Sequence, residues 1–218
     1  MVGCPMQVVA LPDKVSGVVF DIDGTLYDSP EYAGGQISVL VERLAQTRGE
    51  PVDETWRAVE AWRDEHQANH GVRQSIGNTF VAFGIPIEES VRWREELIHP
   101  EHFLEPDTEL RRAMATLGTR YRLLALTNNP VSVGRRTLSA LGVDDLIGDV
   151  VGLDTTWKSK PDTVPFLAAA ERLGMDPAEL VSVGDRYDVD IAPARVIGMG
   201  AILVHSVRDV YELVHVLP

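Results

Sequence analysis

Residues 15–26 read Val15-Ser16-Gly17-Val18-Val19-Phe20-Asp21-Ile22-Asp23-Gly24-Thr25-Leu26, and this stretch decides the fold. Its first half, Val15 to Phe20, is a short apolar, β-branched run of the kind that forms a buried strand. The run stops abruptly at Asp21, so Asp21 and Asp23 stand at the strand's carboxyl end. Burial alone does not explain two carboxylates so close together, because unneutralised negative charge leaving a strand is costly. A divalent cation and a transferring phosphoryl group would neutralise it. Gly24 lets the backbone turn and can aim main-chain N–H groups at a phosphate. Two plainer readings compete. A hairpin turn would need an alternating strand next, whereas Tyr27-Asp28-Ser29-Pro30-Glu31 is polar and broken by proline. A calcium loop starting at Asp21 would need glycine sixth and glutamate twelfth, where Leu26 and Tyr32 stand.

Similar apolar runs recur at Tyr121 to Leu126, Leu180 to Val183 and Gly200 to Val204, each beside a helix-like stretch. Such alternation predicts an α/β fold: a parallel sheet with helices on both faces. Residues 30–105 carry no strand signal, and segments near 32–48, 53–69, 72–83 and 87–98 place apolar residues at helical spacing. Val52, Trp56, Val59 and Trp62 are the clearest series. Gly49 with Pro51, Gly71, and Gly84 with Pro86 punctuate the segments. The expectation is an all-helical insertion (30–105) over a core made of residues 1–29 and 106–218.

Three further strand ends carry polar groups. Thr127-Asn128-Asn129 offers a hydroxyl and backbone N–H groups to phosphate oxygens, although taken alone it reads more readily as a plain helix cap. Lys158-Ser159-Lys160-Pro161-Asp162 precedes a helix expected at Thr163 to Leu173 and can supply an ammonium to a phosphoryl group; most lysines in such a setting are simply solvated. Gly184-Asp185-Arg186-Tyr187-Asp188-Val189-Asp190 provides three acids suited to a hard cation, although Asp188 is better read as an acid favoured at a helix start. In an open parallel sheet the strand ends converge on one crevice, so the four pieces together make a phosphoryl-transfer set.

The 218 residues are 44% hydrophobic and 24% charged, enough for a sizeable core. The formal net charge of -13, from 33 acids against 20 Lys and Arg, argues against nucleic acid as the main partner. Cys4 is the only cysteine, which excludes an internal disulfide and points to the cytoplasm. The start, MVGCPMQVVALPDK, lacks a charged leading region and reads as a frayed lead-in. No apolar run approaches the ~20 residues of a membrane span.

The four pieces resemble, in order, the motifs of the haloacid dehalogenase (HAD)-like hydrolase superfamily, phosphatase branch. They are Asp21-Ile22-Asp23-Gly24-Thr25, Thr127-Asn128, Lys160-Pro161-Asp162, and Gly184-Asp185 with Asp190. The resemblance runs from Val15 to about Val204 and implies a Rossmann-like core with a helical cap that closes over the substrate. It implies Asp21 as nucleophile and Asp23 as the acid that protonates the leaving alcohol and then activates water. It implies Mg2+ held by the Asp21 side chain, the Asp23 carbonyl and Asp185, with Asp190 in support. Thr127, with Asn128 and Gly24, would hold the phosphoryl oxygens, and Lys160 would offset charge. Dehalogenases themselves generally lack the second aspartate, so Asp23 favours phosphorus chemistry. The cap pieces Trp62-Arg63-Asp64-Glu65-His66, Gly71-Val72-Arg73 and Ile98-His99-Pro100, followed by Leu104-Glu105-Pro106, resemble those of pyrimidine 5′-nucleotidase-type members, which would make a nucleotide the substrate. A phosphomutase would use the same core residues, a non-catalytic binding module would keep the fold without turnover, and monomer and homodimer fit alike.

Several motifs read as structural. His66 and His70 share a helix face but lack the glutamate of a zinc-protease helix, so a polar wall toward substrate is expected there. Trp56 and Trp62 are expected to pack in the cap rather than stack on a base. Gly198-Met199-Gly200 ends a helix and opens a strand, the reverse of a dinucleotide fingerprint. Arg111-Arg112 and Arg135-Arg136 are expected to lie on solvated faces.

Overall fold

The computed structural model describes residues 6–218. Cys4 and Pro5, on which part of the reading of the chain's start rests, lie outside the described residues. Six strands form one sheet: β1 (Gln7–Ala10), β2 (Gly17–Phe20), β3 (Arg122–Leu126), β4 (Asp149–Val151), β5 (Leu180–Gly184) and β6 (Gly200–Leu203). Their spatial order is β1-β6-β5-β2-β3-β4; all neighbours run parallel except β1, which is antiparallel to β6. From β2 the chain steps outward to β3 and β4, then returns to β5 and β6 on the other flank. That reversal beside β2 makes the crevice in which ligands of such sheets bind.

Two strands depart from expectation. The lead-in read as frayed contains β1, which Gln7 and Val8 join to the sheet opposite Leu203 and Ile202. Its pairing partner lies almost two hundred residues away, so no local pattern announces it. The other, β4, is three residues long, too short for periodicity to register.

Alternation along β2 feeds two cores. Val18 and Phe20 face one layer with Leu123, Ala125, Val181 and Val183, covered by α5 (Thr108–Gly118), α6 (Val131–Ala140) and α10 (Val207–Val216). Val19 faces the other with Leu124, Leu126, Phe166 and Leu173, covered by α8 (Val164–Leu173) and α9 (Ala192–Val196). Every β2 residue is buried. Each large apolar side chain so placed contributes about 1.5–3 kcal/mol.

The insertion is helical: α1 (Pro30–Arg48), α2 (Val52–His70), α3 (Ile76–Ala82) and α4 (Ile87–Leu97). Ser29 starts α1 by accepting the Tyr32 N–H, with Pro30 as its first residue, and Gly49 ends it at φ 66°. Ser75 caps α3, shortening the segment expected from residue 72. Within the insertion Phe80 and Trp93 pack edge to face at 5.9 Å, and Val59 is fully buried. Trp56 is partly buried against the core, whereas Trp62, expected to pack likewise, lies against the His66 ring at 5.3 Å, and Val52, first of its series, is exposed.

Of the basic pairs expected on solvated faces, Arg111 and Arg112 are exposed as expected, whereas Arg135 and Arg136 are only part-exposed. Arg111 forks onto both Asp145 oxygens, at 2.6 and 2.7 Å, and Arg135 bonds Asp144 and the Ile147 and Gly148 carbonyls. Arg136 reaches the Glu95 carbonyl in α4, joining core to insertion, and Ser132 hydrogen-bonds the Glu95 carboxylate. No described helix is long and apolar enough to cross a membrane.

Candidate active site

Register decides where the site lies. Phe20 is level with Ala125 on β3 and Val183 on β5, so Asp21, Thr127 and Asp185 follow from neighbouring strands at one edge of the sheet. The Asp21 N–H is anchored to the Val183 carbonyl at 2.8 Å. At Gly24 the backbone turns at φ 82°, and a Cβ there would lie 2.7 Å from Asp185 Oδ2, so only glycine lets the two loops approach.

Lys160 is 1% exposed. Its ammonium donates to Asp21 Oδ1 at 2.7 Å, Asp190 Oδ1 at 2.6 Å and the Leu126 carbonyl at 3.0 Å. All three donors are thus engaged, and Lys160 acts on the charge of Asp21 and Asp190. Burial lowers the lysine pKa, but the Asp190 and Asp21 carboxylates overcome it and hold the group above its usual value. The loop carrying it is fastened by Asn128, whose amide accepts the Lys160 N–H at 2.8 Å and donates to its carbonyl at 3.1 Å.

One ammonium between two carboxylates leaves negative charge over in a dry place. Burial first, and the Asp190 charge second, push the Asp21 carboxyl up to about 8, against the pull of Lys160. Asp185 is also raised, by burial and by Asp190. Asp21, Asp185 and Asp190 bring one carboxylate oxygen each within 4.8 Å of the others. Asp21 Oδ2 and Asp185 Oδ1 are buried without a hydrogen-bond partner, whereas Asp190 uses its oxygens on Lys160 and the Arg186 N–H. Orphaned carboxylate oxygens around a site of excess negative charge are the donor set a hard divalent cation takes.

The Asp23 side chain turns away from that cluster. It accepts from Tyr27 Oη at 2.6 Å, Gln36 Nε2 at 2.8 Å, Asn129 Nδ2 at 3.0 Å and Thr127 Oγ1 at 3.3 Å. Burial and the neighbouring Asp23 keep Tyr27 protonated, hence a donor. Asn129 also donates to Gln36 Oε1 at 2.8 Å, closing a network that joins α1 to the sheet edge. Sequence reading missed the roles of Tyr27, Gln36 and Asn129. Asn129 stood inside a motif already singled out; Gln36 had no local signal, because only folding brings α1 over Asp23.

A cavity of about 290 Å³ opens onto Gly24, Asp23, Asn128 and Asp185. Its outer wall is Arg63, Ser75 and Arg94 from the helical insertion, with Arg186 from the core. The histidine pair expected to form that wall does not line it: the His66 and His70 rings stack on each other 4.1 Å apart at the end of α2. Arg94 is 2% exposed, and burial pushes its guanidinium down to about 10, still charged at neutral pH.

A sheet edge that gathers three close carboxylates and a buried lysine beneath a helical cap has the make-up of a hydrolase site. Comparison with known proteins agrees. Residues 15–198 match the model of the haloacid dehalogenase-like hydrolases, and the chain belongs to that family; it is a phosphatase. It is 30% identical over 200 residues to a phosphoglycolate phosphatase of Shigella boydii serotype 4, covering 84% of this chain and 79% of that one. A HAD phosphatase from Thermococcus onnurineus superposes with a TM-score of 0.66 at 25% identity, over 93% of this chain and 98% of the other. A 2-haloacid dehalogenase from Pseudomonas syringae pv. Tomato superposes less closely, at 0.54 and 25% identity, over 86% and 85% of the two chains.

Proposed function

We propose that this protein is a magnesium-dependent phosphatase that hydrolyses a small phosphate monoester through an aspartyl-phosphate on Asp21. The observation that carries the reading is the pair of orphaned oxygens on Asp21 and Asp185, set beside the Asp21–Lys160–Asp190 chain. Magnesium would be held by Asp21, Asp185 and the Asp23 carbonyl, with Asp190 in support, and when bound it supplies positive charge against the phosphoryl oxygens.

The residues divide the work as follows. A carboxylate oxygen of Asp21 attacks phosphorus and the P–O bond to the alcohol breaks, while Asp23 gives a proton to the leaving oxygen. Asp23 then takes a proton from water, which attacks the same phosphorus and frees Asp21 and phosphate. Thr127 Oγ and the backbone N–H groups of Gly24 and Asn128 hold the phosphoryl oxygens. Lys160 keeps Asp21 oriented and lowers the repulsion between carboxylate and phosphate. Residues 30–105 act as the cap and residues 1–29 with 106–218 as the catalytic core, in the cytoplasm where a single cysteine stays reduced.

The relatives named phosphoglycolate phosphatase support a small phosphorylated acid as substrate, ahead of the nucleotide suggested by the cap's sequence. The test is a screen of 2-phosphoglycolate, sugar phosphates and nucleotide 5′-monophosphates for release of free phosphate, with and without Mg2+. Asp21→Asn serves as the blank. Phosphate release that needs Mg2+ and vanishes in the blank is expected; a blank as active as the parent removes Asp21 as nucleophile, and phosphoryl transfer without phosphate release would make the protein a mutase.

A further inference from the structure

Arg94 has no assigned part in the chemistry above, yet it lines the same cavity as Asp23 and Gly24. It sits on α4 in the cap, almost wholly buried. Its Nη1 donates to the Ser90 carbonyl at 3.0 Å and to the Ser90 hydroxyl. Its Nε and Nη2 donate to nothing among the described residues, and no described carboxylate lies within ion-pair distance, although the Asp23 charge opposes part of the effect of burial.

A buried cation without a counterion is costly to keep, by several kcal/mol even after relaxation. The other arginines of the cavity do not carry that cost. Arg63 pairs with Glu60 at 2.9 Å, and Arg186 is half-exposed and lies 3.8 Å from Asp185. Among the arginines lining the cavity, Arg94 alone is both desolvated and without a carboxylate in ion-pair contact.

The free edge has a shape as well as a charge. With Nη1 engaged, the parallel N–H donors of Nε and Nη2 remain, and that fork matches the two oxygens of a carboxylate. Apart from its polar groups, the cavity that Arg94 shares with Asp23 and Gly24 is lined by Ala33, Ile37, Leu40 and Ile76. A volume of about 290 Å³ is at the lower end for small-molecule pockets. A ligand that satisfies both ends is short and carries an anion at each end.

Building on the phosphatase reading, we infer that Arg94 receives the carboxylate of the substrate, and that the substrate class is phosphate monoesters of small hydroxy carboxylic acids. The cap then does more than close the site: through Arg94 it supplies a charge that tells such an ester from a neutral one.

The experiment compares 2-phosphoglycolate with ethyl phosphate, which has the same two carbons and no carboxylate. The quantity read is the ratio of the two kcat/KM values in the parent, in Arg94→Met and in Arg94→Lys. The parent is expected to favour 2-phosphoglycolate, and Arg94→Met to reduce that ratio by about 10- to 100-fold, the worth of a charged bidentate pair. Arg94→Lys, which keeps the charge but not the fork, is expected to recover part of it. A parent without preference overturns the inference, as does a fall of both esters in step in the two variants. Calorimetric titration of each ester into Asp21→Asn, with and without Arg94→Met or Arg94→Lys, reads the same preference without turnover. If the parent hydrolyses neither ester, the phosphatase reading fails for them. A calorimetric preference that Arg94→Met or Arg94→Lys lowers still establishes the receptor; its absence overturns it.

Discussion

Asp21 and Asp23 differ by two positions and by everything around them. Asp21 shares Lys160 with Asp190 and has one oxygen without a partner; Asp23 is gripped by Tyr27, Gln36, Asn129 and Thr127. Asp23→Asn should therefore lower kcat by about 10²- to 10⁴-fold, the usual worth of an acid/base residue. Its amide would also face donors from Tyr27 and Gln36 where an acceptor is needed. Single-turnover measurement with chemical quench checks this, and a kcat within threefold of the parent would remove Asp23 from the proton transfer. The raised Asp21 carboxyl gives a second prediction. Between the ordinary carboxylate value near 4 and about 8 the folded metal-free protein holds a proton that the unfolded chain has released. The unfolded state binds fewer protons there, so stability without metal should fall as pH rises through that window. Saturating Mg2+ should flatten the dependence by favouring the ionised carboxylate. Urea unfolding at pH 5, 6, 7 and 8, with and without Mg2+, decides it; identical slopes in the two series would refute it.

At the scale of elements, α1 matters because it crosses from cap to chemistry. Gln36 donates to Asp23 and accepts from Asn129, and Tyr32 Oη meets Thr137 Oγ1 at 3.2 Å in the core. Helix α1 thus positions Asp23, the acid/base residue of the proposed mechanism, and walls the cavity. Gln36→Ala should reduce kcat by about tenfold and displace the acid limb of its pH profile, while leaving KM within a few-fold. That split separates loss of orientation from loss of binding. An equal rise in KM with an unmoved pH profile would assign Gln36 to substrate binding instead.

For the whole molecule, the excess charge at the strand ends links metal binding to folding. A ligand that binds only the native state at a hundred times its Kd adds about 2.7 kcal/mol of stability. In a protein of this size that raises Tm by roughly 5–10 °C. Magnesium should produce such a rise in the parent, EDTA should abolish both the rise and the turnover, and Asp185→Asn should lose most of the rise. Differential scanning calorimetry checks it, and an equal rise in Asp185→Asn would place the cation elsewhere.

The order of motifs along the chain determined the class of fold, the helical insertion and the residues Asp21, Thr127, Lys160 and Asp185: Asp21, Thr127 and Asp185 lie directly after strands whose apolar runs are visible locally, and Lys160 was legible from its own motif ahead of a helix. The same locality explains why β1 and β4 escaped: one owes its existence to a distant partner and the other is three residues long. Tertiary structure alone decided what surrounds those residues. The grip on Asp23 needs α1 laid across the sheet edge, and the histidine pair of α2 packs on itself while Arg63 and Arg94 take the cavity wall. Helical spacing says which residues share a face but not what that face meets, and a buried arginine reads like any surface arginine until the packing removes its water.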